Sequence, residues 1–342
     1  MIIWIILISF LLLFLLPFIP GLIEIIKKED AEPLPIEMDY IRHPRYFAKS
    51  FRKILEKATS GFNLGHGIHN VKLSKDEPLA IHPSLNIGDG EIINHLLLIK
   101  GNFVSGSDVQ LNKEVHVTGD VIIGPNNVLQ ALSIEGNAQI SDGVRFRRWL
   151  DAEGDIIIKE DCNLGISVSS AKKLLLSENC IFHRLFGRPV ISSNPLSTTI
   201  NPFETFKSQE ITTQQNSFIR KRDKVLPPGT IEINNVVFMR DIRIGYGSIF
   251  EGDIKSYGRI ILEEGVKVYG NIFSEGDIII GRNARIGGHI FSQTSIHISE
   301  GSCISLPEEI KSVIAKKAIH IENNVTIYGY ISTEGVGSTQ KK

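Results

Sequence analysis

The feature that most constrains the fold is an 18-residue repeat. In the second half of the chain it is seen in IGYGSIF (244–250), LEEGVKV (262–268), IGRNARI (280–286) and ISEGSCI (298–304), and a fifth copy, IENNVTI (321–327), follows a five-residue insertion. The first half repeats it in ISDGVRF (140–146), IKEDCNL (158–164) and LSENCIF (176–182). A fixed period of this length is typical of a solenoid in which each repeat contacts only its neighbours.

The apolar residues within one period predict short strands. They come in pairs separated by two residues, and the pairs recur about every six residues, as in Ile260/Leu262 and Val266/Val268. We therefore predict an all-β fold, a parallel β-helix of about ten turns with three strands per turn. Leu262, Ile280 and Ile298 should lie on top of one another. Glycines recur at equivalent corners, where a positive φ would ease the bend: Gly252, Gly270, Gly288 and Gly329.

The interruptions of the repeat predict the domain organisation. A polar stretch rich in Pro, Ser, Thr, Asn and Gln separates two β-helix blocks and lacks the apolar content for a core. The predicted segments are a transmembrane anchor (1–26), a linker with a basic amphipathic helix (27–61), a first block (62–187), a flexible insertion (188–228), a second block (229–334) and a disordered tail (335–342).

The amino-terminal segment predicts a membrane anchor. No charged residue occurs between Ile2 and Ile23, and 22 residues at helical rise cover roughly 33 Å, enough to cross a bilayer. Pro17 and Pro20 complicate a continuous helix, because proline removes a backbone donor. Lysine and arginine follow the apolar run and are absent before it. We therefore predict a single-pass inner-membrane protein, held by residues 2–26, with the bulk of the chain in the cytoplasm.

A basic amphipathic helix is predicted to start near Pro44 and to end near Gly61. Its apolar stripe is Phe47, Phe51, Ile54, Leu55 and Ala58, and its basic residues are Arg45, Lys49, Arg52, Lys53 and Lys57. Two interpretations stay open. The basic residues could contact anionic lipid at the membrane surface, or the helix could cover the first turn of the solenoid, whose end needs closing.

Charge and cysteine content exclude several function classes. The 37 basic and 38 acidic residues give no overall field to hold nucleic acid, so no nucleic-acid partner is expected. None of Cys162, Cys180 and Cys303 lies in a CxxC motif. Because Cys162 and Cys180 are one period apart, they should stack inside the coil as small apolar residues.

The histidines give only weak signals for catalysis or metal binding. His66 and His69 in GHGIHN lack a third ligand nearby, so no metal or cofactor is expected. His289 and His297 could serve as bases if the chain were a hexapeptide-repeat-like acyltransferase, whose β-helix also has 18 residues per turn. That enzyme is kept as an alternative, because a fold class does not determine function. The main expectation is a protein without catalytic residues.

The fragments GDIIIGRNARIG (276–287), GNIFSEGD (270–277) and GVKVYG (265–270), together with the apolar amino terminus, resemble the bactofilins, a polymer-forming bacterial cytoskeletal family. The resemblance is strongest over residues 229–334. It implies a right-handed parallel β-helix, nucleotide-free polymerisation through terminal turns, attachment to the inner membrane, and recruitment of envelope or morphogenesis proteins. Bactofilins usually have one uninterrupted block, whereas this chain has two.

The carboxyl-terminal turn is the predicted assembly interface. The last residues, TEGVGSTQKK, are too polar and glycine-rich to form a covering helix. We therefore expect an open turn that stacks on another copy, giving a homo-oligomer or polymer; its apolar residues are Ile319, Ile321, Val325, Ile327 and Ile331. If the basic helix closes the other end, only a tail-to-tail dimer forms. The alternative is a non-polymerising envelope adaptor that docks partners on its outer faces.

Overall fold

The computed structural model describes residues 4, 7, 9, 10, 14–19, 43–60, 67–72, 76–192 and 219–339. The chain divides into two units, Met1–His43 and Pro44–Lys342. In the first unit a 3-10 helix spans Leu16–Phe18, with a proline in its first turn, where no backbone donor is needed. Within the described residues no helix combines the length and apolar character needed to span a membrane. Most of the predicted anchor, residues 1–26, lies outside the described residues.

The second unit is a parallel β-solenoid of about 13 turns with about 18 residues per turn, and so has more than the ten turns predicted. It also contains the predicted helix, α1 (Tyr46–Thr59). The strands of the first block are β1 (Gly67–Lys72), β2 (Asp76–His82), β3 (Leu85–Ile87), β4 (Ile92–Ile93), β5 (Leu96–Ile99), β6 (Phe103–Ser105), β7 (Gln110–Val117), β8 (Val121–Ile123), β9 (Val128–Ile134), β10 (Ala138–Ile140), β11 (Arg145–Ala152), β12 (Ile156–Ile158), β13 (Ser167–Ser170), β14 (Leu174–Leu176) and β15 (Ile181–Ser192).

The second block repeats this arrangement. Its strands are β16 (Ile219–Lys221), β17 (Val225–Leu226), β18 (Ile231–Glu232), β19 (Val236–Phe238), β20 (Ile242–Ile244), β21 (Ile249–Phe250), β22 (Ile254–Ser256), β23 (Ile260–Leu262), β24 (Lys267–Val268), β25 (Ile272–Ser274), β26 (Ile278–Ile280), β27 (Arg285–Ile286), β28 (Ile290–Ser292), β29 (Ser295–Ile298), β30 (Cys303–Ile304), β31 (Lys311–Ala315), β32 (Ala318–Ile321) and β33 (Val325–Thr339).

Within each block, from β2 to β15 and from β16 to β33, successive turns pair in parallel, which builds three lateral faces. On one face of the second block, β23 pairs with β26 and β26 with β29, so that Leu262 lies beside Ile280 and Ile280 beside Ile298. The predicted column of stacked aliphatic side chains is therefore confirmed. The inward residues of both blocks form one continuous apolar core, whose burial is the main source of stability in such a fold.

The corners depend on residues that tolerate a left-handed backbone. A Gly, Asn or Asp with φ near +60° recurs once per turn at Gly90, Asp108, Asn126, Gly143, Asp161, Asn179, Gly229, Gly247, Gly265, Asn283, Gly301 and Asn324. These are the fourth residues of the repeats, as in LEEG and IGRN. Of the four glycines predicted to have this role, Gly329 has a positive φ, of 143°, whereas Gly252, Gly270 and Gly288 do not. A Cβ at Gly270 would overlap the carbonyl group of Gly252, so the requirement there is the close approach of successive turns.

Buried serines link successive turns at another corner. The hydroxyl groups of Ser256, Ser274 and Ser292 donate to carbonyl oxygens 16 residues earlier, at 2.8, 2.5 and 2.8 Å. Each hydroxyl also accepts a backbone N–H from two residues later. The serines therefore occupy inward positions without leaving a buried polar group unpaired.

Both blocks are longer than predicted. β15 continues to Ser192 and β16 starts at Ile219, so the interval between them is shorter than the predicted insertion 188–228; residues 193–218 lie outside the described residues. β33 continues to Thr339, so most of the predicted disordered tail is strand. The tail can do this because small residues and backbone hydrogen bonds are sufficient to add a strand to an existing edge.

Candidate interaction surfaces

The predicted assembly turn is covered by the same chain. Ile319, Ile321, Val325, Ile327 and Ile331 all point inward and are at most 2% exposed. This turn is covered by β15, the strand that forms the last turn of the first block. β15 pairs with β33 in antiparallel orientation. The expectation that this turn is left open is therefore wrong, while association of the chain with another copy stays a prediction. The tail-to-tail contact that we considered between two copies is made inside one chain.

The contact between the two blocks, here called the junction, involves all three faces. Along one antiparallel ladder, Phe182 pairs with Gly337, Leu185 with Ile331, and Val190 with Ile327. Side chains reinforce this ladder: the Thr339 hydroxyl donates to the Ser177 carbonyl at 2.8 Å and accepts the Cys180 N–H at 2.9 Å. Because the apolar core passes through it without a break, the junction joins two solenoids into one.

The basic helix lies on a lateral face of the first block, and the predicted end cap is therefore wrong. Leu55 packs against Leu79, Ile81, Leu96 and Leu98, which are the outward residues of β2 and β5. Near the amino end of α1, Ala48 and Phe51 pack against Ala131 and Trp149. The edge of β2 in the first turn is instead covered by β1, in an antiparallel hairpin.

Two arginines of α1 point into this face and form a buried ion cluster. Arg45, 5% exposed, donates to both carboxylate oxygens of Asp151 at 2.7 and 2.8 Å and to Glu153 at 2.6 Å. Arg52 binds the same two carboxylates, and its Nε donates to Ser133 at 2.9 Å. Burial alone would lower the pKa of Arg45, but the hydrogen bonds that it donates to the two carboxylates, together with their negative charge, outweigh burial and raise that pKa. The prediction that Arg45 and Arg52 contact lipid is therefore wrong, because both guanidinium groups bind carboxylates of the solenoid.

The lysines of the same helix face the other way. Lys49, Lys53 and Lys57 are exposed, together with Tyr46 and Ile54, which are 51% exposed each. Phe47 and Ile54 belong to the predicted apolar stripe but lie outside the buried side of the helix. The arginines of α1 thus lie on the side that binds the solenoid, and the lysines lie on the side that faces outward.

The candidate histidines have structural partners. The His289 Nδ1 accepts the Ser312 N–H at 3.0 Å, and the His297 Nε2 is 2.8 Å from a Glu322 carboxylate oxygen. His69 lies in β1, whereas His66 is outside the described residues. Within residues 67–72, 76–192 and 219–339, no group of three His, Cys, Asp or Glu side chains is arranged to hold a metal ion. These contacts explain the placement of His289 and His297 through packing and hydrogen bonding.

The three cysteines are buried and free. Cys162 and Cys180 lie one turn apart inside the core, as predicted. The contact with Cys180 and burial both raise the pKa of Cys162, and burial raises the pKa of Cys303 to about 12. A thiol held in its protonated form is a poor nucleophile, so Cys162 and Cys303 act as small apolar side chains, and Cys180 is fully buried beside Cys162 in the same apolar core.

Comparisons with protein-family models, curated proteins and solved structures find no match to this chain. The resemblance to bactofilins therefore depends on the quoted sequence fragments and the apolar amino terminus.

Proposed function

We propose that this chain is a non-enzymatic scaffold, tethered to the inner membrane by residues 2–26, whose solenoid in the cytoplasm offers lateral faces to envelope or morphogenesis proteins. The observation that carries the proposal is the junction. In it, β15 already occupies the turn of β33 that would join one copy to the next. This favours the adaptor over a polymer assembled through the carboxyl-terminal turns.

The outer end of the second block gives further support. There the inward positions above Phe238 and Phe250 are held by Lys221 and Glu232, which form an ion pair. A copy stacked on this end would have to bury that pair, and the desolvation of two charges is costly. The apolar core thus ends in a polar pair that disfavours end-to-end stacking.

The acyltransferase alternative receives less support. It requires a histidine base that is free to take a proton from substrate, whereas the lone pair of His289 Nδ1 already accepts the backbone N–H of Ser312. The proposal assigns no catalytic role to His289 or His297.

Sedimentation velocity and electron microscopy of the full chain in detergent test the proposal. We expect one species containing a single 38.1 kDa chain, without filaments, at every concentration. Filaments of the unaltered chain would overturn the proposal that the protein is a non-polymerising adaptor. As a comparison, Lys221→Met with Glu232→Leu makes the outer end apolar, and assembly of this variant alone would show that the charged pair prevents stacking.

A further inference from the structure

Helix α1 is oriented so that its outward side forms a basic strip. With Arg45 and Arg52 bound to the solenoid, the residues on the opposite side are Tyr46, Lys49, Lys53, Ile54 and Lys57, all exposed. The single acidic residue of the helix, Glu56, lies on a flank, near His116; burial lowers the pKa of that imidazole, and the negative charge of Glu56 offsets the lowering only in part. The strip therefore combines positive charge with an aromatic and an aliphatic side chain.

The helix also runs along the solenoid. Arg45 binds Asp151 in β11, and Leu55, ten residues later, packs between β2 and β5. Ten residues of helix rise about 15 Å, which is close to the separation of three to four strands at ~4.8 Å. The axis of α1 is therefore nearly parallel to the axis of the first block.

Anionic lipid is the partner that this strip fits. Lysines bind the headgroups of an anionic surface, while tyrosine and isoleucine enter the boundary between headgroups and acyl chains. The proposed tether ends about 20 residues before α1, and 20 residues span at most roughly 70 Å. The strip can thus reach the membrane that holds the tether.

We infer that the outward strip of α1 binds the surface of an anionic membrane, so that the first block lies with its axis parallel to the bilayer. The inference rests on the proposed function, since it requires the tether. It goes further by giving the scaffold an orientation: the lateral face that carries α1 points to lipid, and the other two faces remain open to proteins.

A spin label at Ile54→Cys tests the orientation in the full chain. The native cysteines are buried and do not compete for the label. In nanodiscs of phosphatidylcholine with phosphatidylserine, we expect the label to be accessible to oxygen and protected from a water-soluble nickel relaxant. In phosphatidylcholine alone it should be exposed to the relaxant. A label at Arg145→Cys, an exposed position on another face of the same block, should stay in water in both.

Charge removal provides the matched variants. Lys49→Gln, Lys53→Gln and Lys57→Gln together should reduce the ratio of lipid-bound to free label roughly 100-fold, at about 1 kcal/mol per lysine. Lys100→Gln, Lys159→Gln and Lys267→Gln remove the same charge from exposed positions elsewhere and should leave the ratio unchanged. A chain that inserts but keeps the Ile54 label in water overturns this inference alone. A chain that does not enter the nanodisc overturns the tether, and this inference with it.

Discussion

Replacing Asp151 by Asn should release α1 from the solenoid. Asp151 is 1% exposed and accepts hydrogen bonds from both arginines and from the Ser169 hydroxyl at 2.7 Å. The amide keeps the shape of the side chain but removes the charge, leaving two guanidinium groups to share Glu153. Removing one partner of a buried ion pair costs about 3–5 kcal/mol. Because Glu153 still accepts from both arginines, we expect the lower value, about 3 kcal/mol.

Trp149 reports on this release. Its side chain is 6% exposed and its ring lies 5.8 Å from the ring of Phe51 on α1. The chain has two tryptophans, so Trp4→Phe leaves Trp149 as the single emitter. In that background, Asp151→Asn should shift the emission to the red and increase amide exchange across α1, while the exchange of the solenoid strands stays slow.

Asp161→Asn is the control. Asp161 is exposed and has a φ of 58°, a conformation that asparagine also adopts readily, so the same chemical change there should have almost no effect. Unchanged Trp149 emission and unchanged exchange of α1 in Asp151→Asn would refute the idea that the ion cluster holds the helix.

Three further predictions concern the first block, the corners and the core. The hydrogen bond from Arg45 lowers the pKa of Glu153 to about 2, so its contribution to the docking of α1 is present above pH 4.5 and is lost as the pH falls towards 2, which Trp149 emission would follow. Gly270→Val should lower the free energy of unfolding of the second block in urea by about 1–3 kcal/mol, because the valine side chain would meet the preceding turn. Gly247→Asn should be tolerated, because Gly247 lies in open space and has a φ of +64°, which asparagine also adopts. A thiol reagent should modify none of the three cysteines until the protein unfolds, and rapid reaction of Cys303 would contradict its burial.

The repeated part of the fold could be predicted because its determinants are local and periodic. A residue such as Ile280 has its neighbours one period before and one period after it, so the spacing of the sequence gives its contacts directly. The corners could also have been predicted better. The recurring Gly or Asn at the fourth position, as at Gly265 and Asn283, is the residue type that a left-handed conformation requires.

The junction could not be predicted in this way. It pairs Leu185 with Ile331 in antiparallel orientation, and no period relates two segments so far apart in the chain. The same apolar inward residues would suit an open end, an end stacked on another copy, or an end paired internally. The sequence therefore predicted which residues form the terminal turn, but did not determine what covers it.

Which side of α1 packs on the solenoid could not be predicted for a related reason. Arginine and lysine contribute equally to a basic helix, so the pattern alone did not separate Arg45 and Arg52 from the lysines. The distinguishing signal is on the other partner: Asp151 and Glu153 are acidic residues within and just after β11, and Asp151 occupies an outward strand position. A planar guanidinium that binds carboxylates through two donors is the matching group.

A cysteine pair across the junction tests the central claim most directly. Arg184 and Ser332 are register partners in β15 and β33, and antiparallel partners have Cα atoms about 4.5–5.5 Å apart, within disulfide range. After oxidation, Arg184→Cys with Ser332→Cys should give an internally cross-linked monomer on non-reducing gels, and a mixture of the two single variants should give no cross-linked dimer. Cross-linked dimers in that mixture, or no disulfide in the double variant, would contradict the pairing of the two blocks within one chain.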